Sequence, residues 1–242
     1  PAGFVHVPFG NLNALRDIMS DDVAAIMVEP VQGEGGARAA PEGYLDGLAN
    51  AAQEFGALVI ADEVQCGLGR TGKIFAFQHS SIQPDIVVLA KGLGGGIPIG
   101  AVIARADIGE AMGPGSHGST FGGNPLSTAC GNAVLDGLEE EGFMTGVQHR
   151  ISLLDDVVLR LHSRFSDIIL EVRGAGFLRG MKLHDNILAG DVTAALRERH
   201  LLVVPAADNV VRLLPPLTIT EDEIAQVEAH FIACFDSLSA SK

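Results

Sequence analysis

The sequence predicts an α/β fold, a mostly parallel sheet followed by a smaller α+β domain, on three observations. Short apolar runs alternate with helix-like segments up to about residue 120, the pattern of a βα-wound sheet. The runs end in charge: Ala24-Ala25-Ile26-Met27-Val28 delivers Glu29, Leu58-Val59-Ile60-Ala61 delivers Asp62 and Glu63, and Asp85-Ile86-Val87-Val88-Leu89-Ala90 delivers Lys91. Strands buried on both faces need such continuous apolar runs, and open α/β sheets present their last residues to a ligand crevice at the carboxyl edge. After Asn124-Pro125 the texture changes and helical spacing takes over.

In chain order, helices are expected over residues 12–19 and 44–55. Asn124 is a good N-cap, Pro125 suits the first helical position, and Leu126, Ala129, Cys130, Ala133, Val134 and Leu138 then repeat at helical spacing. A second amphipathic stretch runs from Gly142 to about Phe165. Strands follow over 168–172, 177–183, 201–205 and 210–214, with helices over 192–199 and 221–238. The last helix opens on a capping box, Thr220 and Glu223. These elements divide the chain into a partial large domain, residues 1–141, and a small C-terminal domain, residues 142–242, with no long linker or internal repeat between them.

A chain of 242 residues with 47% hydrophobic content can bury a full core. Sixteen basic against thirty acidic residues give a formal charge of −14, which repels phosphate backbones and anionic lipid and argues against nucleic-acid and membrane partners. Small molecules are the expected ligands. Cys66, Cys130 and Cys234 are odd in number and far apart, which points to neither a disulfide framework nor a metal cluster and fits a reducing compartment. No apolar stretch nears the roughly 20 residues of a membrane span, and the first residues resemble no signal peptide. The expected location is the cytoplasm.

Lys91 is the most informative residue, an amine at a strand end that carboxylates would surround, followed by Gly92-Leu93-Gly94-Gly95-Gly96, which lets a ligand approach the backbone closely. Taken alone, a strand-end lysine reads first as a solvated side chain paired with an acid, and the glycines that follow it are what turn the reading toward a ligand. Gly67-Leu68-Gly69-Arg70-Thr71-Gly72 matches G-x-G-x-x-G but lacks the helix start and the acidic end of the next strand that dinucleotide binding needs. The glycine- and hydroxyl-rich stretch 115–125 reads either as a phosphate cradle or as an ordinary turn and N-cap. A buried lysine, an acid on a neighbouring strand end and such a loop together are what pyridoxal 5′-phosphate requires: an amine for the imine, a carboxylate for the ring nitrogen, and a hold on the phosphate.

The segments 27–36, 60–72, Lys91 with its glycines, 117–125 and 212–217 resemble the class III pyridoxal-phosphate aminotransferases, in family order across almost the whole chain. The resemblance implies fold type I and a homodimer with shared active sites. It assigns Lys91 to the Schiff base, Asp62 to the pyridine nitrogen, Gln65 to the phenolic oxygen, and Ser119 and Thr120 to the phosphate of the neighbouring subunit's cofactor. Arg212 would grip the substrate α-carboxylate, and Glu34 would neutralise it in one half-reaction and swing away in the other. The implied reaction moves an amino group from N-acetylornithine to 2-oxoglutarate, in arginine biosynthesis. Sister activities on ornithine, 4-aminobutyrate, succinylornithine or a carrier-bound lysine are alternatives, as is a non-catalytic fragment that binds a cofactor or partner. Family members carry a helix-start phosphate site, a ring-stacking aromatic and a further substrate arginine upstream of the strand that ends at Glu29. Only 28 residues precede Glu29 here, so the chain is expected to be a carboxy-terminal portion, inactive alone.

Overall fold

The computed structural model describes residues 2–240, which form two compact units. The first takes the residues up to 30, 40–68 and 75–137; the second takes 31–39, 69–74 and the chain from 138 onward.

In the first unit, β1 (Ala25–Val28), β4 (Leu58–Asp62) and β5 (Ile86–Leu89) are parallel neighbours, and β6 (Ala101–Ala104) closes the sheet antiparallel to β5. The order β1-β4-β5-β6 bears out the mostly parallel sheet; the antiparallel β6 was not anticipated, because four residues after a glycine-rich turn carry little periodic signal. Two helices precede β4: α1 (Leu12–Ile18), capped by the Asn11 side chain accepting from the Ala14 amide at 3.0 Å, and α2 (Tyr44–Phe55). They bury Leu15, Tyr44 and Leu48 with Ile26, Val28 and Val59 of the sheet. The period of two sends the alternate residues to the other face, where Met27, Ile60, Ile86, Val88 and Val102 share register levels. That face is apolar and open: Met27 is 54% and Val102 67% exposed. A short helix, α3 (Ala106–Gly109), leads through an exposed loop to α4 (Pro125–Glu139).

The second unit is built on an antiparallel sheet in the order β7-β8-β10-β9, formed by β7 (Ile169–Ala175), β8 (Leu178–Leu183), β9 (Val204–Ala206) and β10 (Val210–Leu213). The helices α5 (Phe143–Arg164), α6 (Ala189–Glu198) and α7 (Glu221–Ala240) bury Leu154, Leu161, Phe177, Met181, Val211 and Phe231 with it. The capping box forms as read: Thr220 Oγ1 accepts from the Glu223 amide at 3.2 Å, and the Thr220 amide donates to Glu223 Oε2 at 2.7 Å. The strand expected from residue 201 begins only at Val204. His200 adopts a left-handed φ of 65°, and the Leu201 amide turns back to the Leu196 carbonyl, which closes α6 and delays the extended backbone. Asp208 and Asn209, at φ 63° and 57°, make the tight hairpin between β9 and β10. The Asn209 amide group donates to the Ile187 carbonyl at 2.8 Å while its oxygen accepts from the Ala189 amide at 2.8 Å, fixing the start of α6.

The same unit includes residues 31–39. There β2 (Val31–Gln32) pairs with β3 (Arg38–Ala39), and the Glu34 carbonyl accepts from the Ala207 amide at 3.1 Å. Gly180 of β8 permits this: a Cβ on it would meet the Ala37 Cβ at 2.8 Å and a Val210 methyl at 2.7 Å.

Phe231 is fully buried, its ring against Phe235 at a 5.5 Å centroid separation. Phe231→Ala is expected to cost about 3–5 kcal/mol. Denaturant unfolding checks this through a midpoint shift at constant slope.

Candidate active-site residues

At the carboxyl edge of the parallel sheet, Asp62 is the last residue of β4 and lies level with Val88 on β5. It is half-buried on the open face, and its Oδ1 accepts from the Val64 amide at 3.0 Å. Three residues past Val88, the chain turns into a 3-10 helix, Lys91–Gly94, that opens on Lys91. Lys91 has φ 47°, a left-handed backbone rare for residues with a side chain and a form of strain that gathers at functional sites. Adjacent strand ends thus bring Lys91 and Asp62 to one edge.

Two expectations are corrected here. Lys91 is exposed rather than buried, because β5 ends at Leu89 and the turn sends Leu93 and Gly94 inward in its place. Glu63 does not join a ring of carboxylates around the amine. Next to Asp62 in an extended backbone, it points to the opposite face and is 1% exposed. Its Oε1 accepts from the Phe77 amide at 2.8 Å and its Oε2 from the Ala76 amide at 2.9 Å, with the Cys66 thiol 3.4 Å away. Burial pushes the Glu63 carboxyl up from its ordinary value, and the two amides pull against that shift.

Gln65 is half-buried in the turn that follows. That turn closes through the Gly67 amide donating to the Glu63 carbonyl at 2.9 Å; a Cβ on Gly67 would sit 2.8 Å from the same oxygen, so only glycine fits. No helix begins inside residues 67–72, consistent with the rejected dinucleotide motif.

Ser119 and Thr120 lie on the exposed loop ahead of α4. Ser119 Oγ accepts from the Gly122 amide at 2.9 Å, and the Asn124 side chain accepts from the Ser127 amide at 3.0 Å, the N-cap that the sequence announced.

In the second unit, the structure brings Arg212 and Glu34 together across 178 residues of sequence. Arg212 on β10 is 4% exposed, and its guanidinium donates to Glu34 Oε1 at 2.8 Å, while the Glu34 side chain is 73% exposed. A buried, always-charged guanidinium thus meets a carboxylate that reaches solvent. Beside it, Asp208 accepts from Lys182 at 2.8 Å, Arg173 at 2.6 Å and Arg38 at 2.8 Å. The Lys182 ammonium first, then Arg173 and Arg38, hold its carboxyl well below the usual carboxylate range. This cluster ties the Glu34 segment to the sheet through Arg38. Sequence reading missed both it and the Glu63 contacts, although the period of two already required Asp62 and Glu63 to face opposite ways.

The family described as Aminotransferase class-III matches residues 7–235. The chain is 49% identical over 240 residues to acetylornithine aminotransferase 1 of Bradyrhizobium diazoefficiens, covering 99% of this chain and 59% of that one. It is 45% identical over 236 residues to acetylornithine aminotransferase of Rhodobacter capsulatus, covering 98% and 60%. The chain therefore spans about 60% of the length of the curated relatives it matches. Among solved structures, N-acetylornithine aminotransferase from Stenotrophomonas maltophilia superposes with a TM-score of 0.90 at 34% identity, covering all of this chain and 64% of that one. Ornithine aminotransferase from Toxoplasma gondii superposes at 0.94 and 35%, covering all of this chain and 58% of that one. A second structure of that enzyme is described with partial occupancy of pyridoxal phosphate at its active site.

Because the folded value of Asp208 is depressed, its stabilising contribution is complete at neutral pH. It declines as pH falls below the ordinary value of 3.8 and is gone once pH passes the folded value. Asp208→Asn keeps a residue that tolerates the left-handed backbone. The variant is expected to melt below the parent at pH 7, with the gap narrowing under acid, as thermal unfolding across pH would show.

Proposed function

Because the chain belongs to the class-III aminotransferase family, a family that depends on pyridoxal phosphate, we propose that the complete protein moves an amino group from N-acetylornithine to 2-oxoglutarate. The observation that carries this reading is the strained turn at Lys91 on the strand end next to the one that ends in Asp62, an accessible amine and a carboxylate on one sheet edge. The curated relatives cited above, acetylornithine aminotransferases 45% and 49% identical to this chain, support the choice of substrate.

The residues present fit the cofactor. Lys91 offers a primary amine on a fixed backbone with glycines after it, Asp62 a half-buried carboxylate, and Gln65 an amide close behind in sequence. When bound, pyridoxal phosphate supplies an electron sink for bonds at the substrate Cα. Lys91 Nζ would be its covalent anchor and, once released, would carry the proton to and from Cα. The Asp62 carboxylate would hold the proton on the ring nitrogen, and the Gln65 amide would donate to the phenolic oxygen. In a homodimer with shared sites, Ser119 and Thr120 would reach the phosphate held by the partner subunit. Arg212 would bind the α-carboxylate that every amino donor and 2-oxo acid presents, through a two-pronged fork. Glu34 would neutralise Arg212 when no second carboxylate is present and release it when glutamate binds, a move that its exposed side chain permits. A cytoplasmic location is part of this reading.

The second reading is ornithine as amino donor, favoured by the 0.94 superposition on an ornithine aminotransferase. Full-length protein assayed with N-acetylornithine and with ornithine, each against 2-oxoglutarate, separates the two; a higher kcat/KM for ornithine overturns the first. In the same assay Arg212→Lys is expected to lose about 10- to 100-fold in kcat/KM with the amino donor and with glutamate alike, since a point charge replaces the fork. Loss with one donor alone would mark Arg212 as a side-chain specificity residue.

Borohydride reduction of the loaded protein followed by peptide mapping should find the cofactor on the peptide containing Lys91. A label on any other lysine removes Lys91 from the site.

A further inference from the structure

Glu63 stands next to Asp62, yet the proposed chemistry gives it no task. It is a carboxylate with 1% exposure and, among the described residues, no cation as a hydrogen-bond partner. Burying an ion is costly and persists only where good donors compensate it. The donors here are backbone amides from a stretch 13 and 14 residues downstream, the first two residues of the 3-10 turn Ala76–His79. Both carboxylate oxygens are used on Ala76 and Phe77, and the Glu63 carbonyl closes the turn with Gly67. One residue therefore holds both roots of the loop that leaves the sheet after Asp62 and returns at Phe75. Between those roots lie Gln65 and Leu68. Leu68 is buried with a left-handed φ of 54°, and its Cδ1 lies 3.8 Å from where a Cβ on Gly92 would be, against the backbone next to Lys91.

We propose that Glu63 is a positioning residue for the cofactor site, its buried carboxylate clasping residues 76–77 to the end of β4 so that Asp62, Gln65 and the Lys91 turn are held in place. This rests on the reading of Asp62 and Lys91 above and extends it inward by one layer. The geometry calls for a carboxylate. An ionised group accepts on both oxygens, whereas the glutamine amide accepts on one and turns its NH2 group against the other N–H. Glutamine is thus no rescue despite its equal size, and aspartate, one methylene shorter, does not reach. Cys66 gives the Glu63 oxygen only a weak thiol donor, and nothing in the clasp depends on it.

The test uses full-length protein and three variants. Glu63→Gln disturbs the clasp from the acid side. Ala76→Pro removes one donor while keeping the acid: proline suits a first helical position, and Phe75 ahead of it is already extended at φ −122° and ψ 142°. Asp62→Asn is the control for the cofactor reading. Amide hydrogen exchange is expected to rise roughly tenfold or more at Phe77 in both clasp variants, with the amides of β8 and β10 unchanged. Pyridoxal phosphate dissociation constants, read by absorbance, should rise by roughly tenfold or more. The pH midpoint of the bound cofactor's absorption band should move in Glu63→Gln in the same direction as in Asp62→Asn. A merely structural Glu63 would lower the melting temperature and leave that midpoint alone, which overturns the proposal. Unchanged exchange at Phe77 overturns it as well. An Asp62→Asn protein with parental affinity and spectrum overturns the reading of Asp62, and with it the link from the clasp to the cofactor. Should Glu63→Gln fail to fold, Ala76→Pro decides by the same readouts.

Discussion

Parallel pairing of β1, β4 and β5 is the constraint on which the candidate site depends. Strands that run the same way end on the same side, so the residues that follow Val28, Asp62 and Leu89 must share one edge. Hydrogen bonding of the ladder fixes the level of each end to within a residue. Asp62 lies level with Val88, so position 91 falls three residues beyond that level, and there the chain turns at once. The left-handed backbone at Lys91 is that turn.

Charge is arranged differently in the two units. At the strand edge the buried acid Glu63 is compensated by neutral backbone dipoles, the amides of Ala76 and Phe77. Around Arg212 the compensation is ionic: a guanidinium with almost no exposure faces a carboxylate on a segment that three basic residues and Asp208 fasten down. Glu34 is held both through its backbone carbonyl, which accepts from Ala207, and through its side chain, which meets Arg212 while remaining largely exposed.

Much of this was legible in the sequence because it was local. The strand ends, the Asn124 and Thr220 caps, the helix periods and the failure of the G-x-G-x-x-G motif all depend on neighbours within a few residues. The pairing of Glu34 with Arg212 was implied by the family resemblance alone, and no local pattern carries it. The inward turn of Glu63 was legible in principle from strand parity, but acidic side chains in a row invite the eye to group them by charge. Lys91's exposure followed from a strand that ends one residue early, at Leu89, a difference below what apolar patterning resolves. The membership of residues 31–39 and 69–74 in the second unit had no sequence signal, because their partners lie far along the chain.

That discontinuity bears on how the protein comes into being. Arg38 waits for Asp208, 170 positions later, and Glu34 for Arg212, 178 positions later. A nascent chain can pair β1 with β4 and β5 while the ribosome is still making α5, yet residues 31–39 meet their long-range partners on β7, β8 and β10 only later. Contacts of such separation carry a large loop-closure entropy and slow the final assembly. Until those partners exist the Glu34 segment has only its own β2–β3 pairing, and incompletely packed segments are what chaperones act on. The pairing of Arg212 with Glu34 therefore forms only after β10 has been made, and its completion reports that two distant stretches of chain have met.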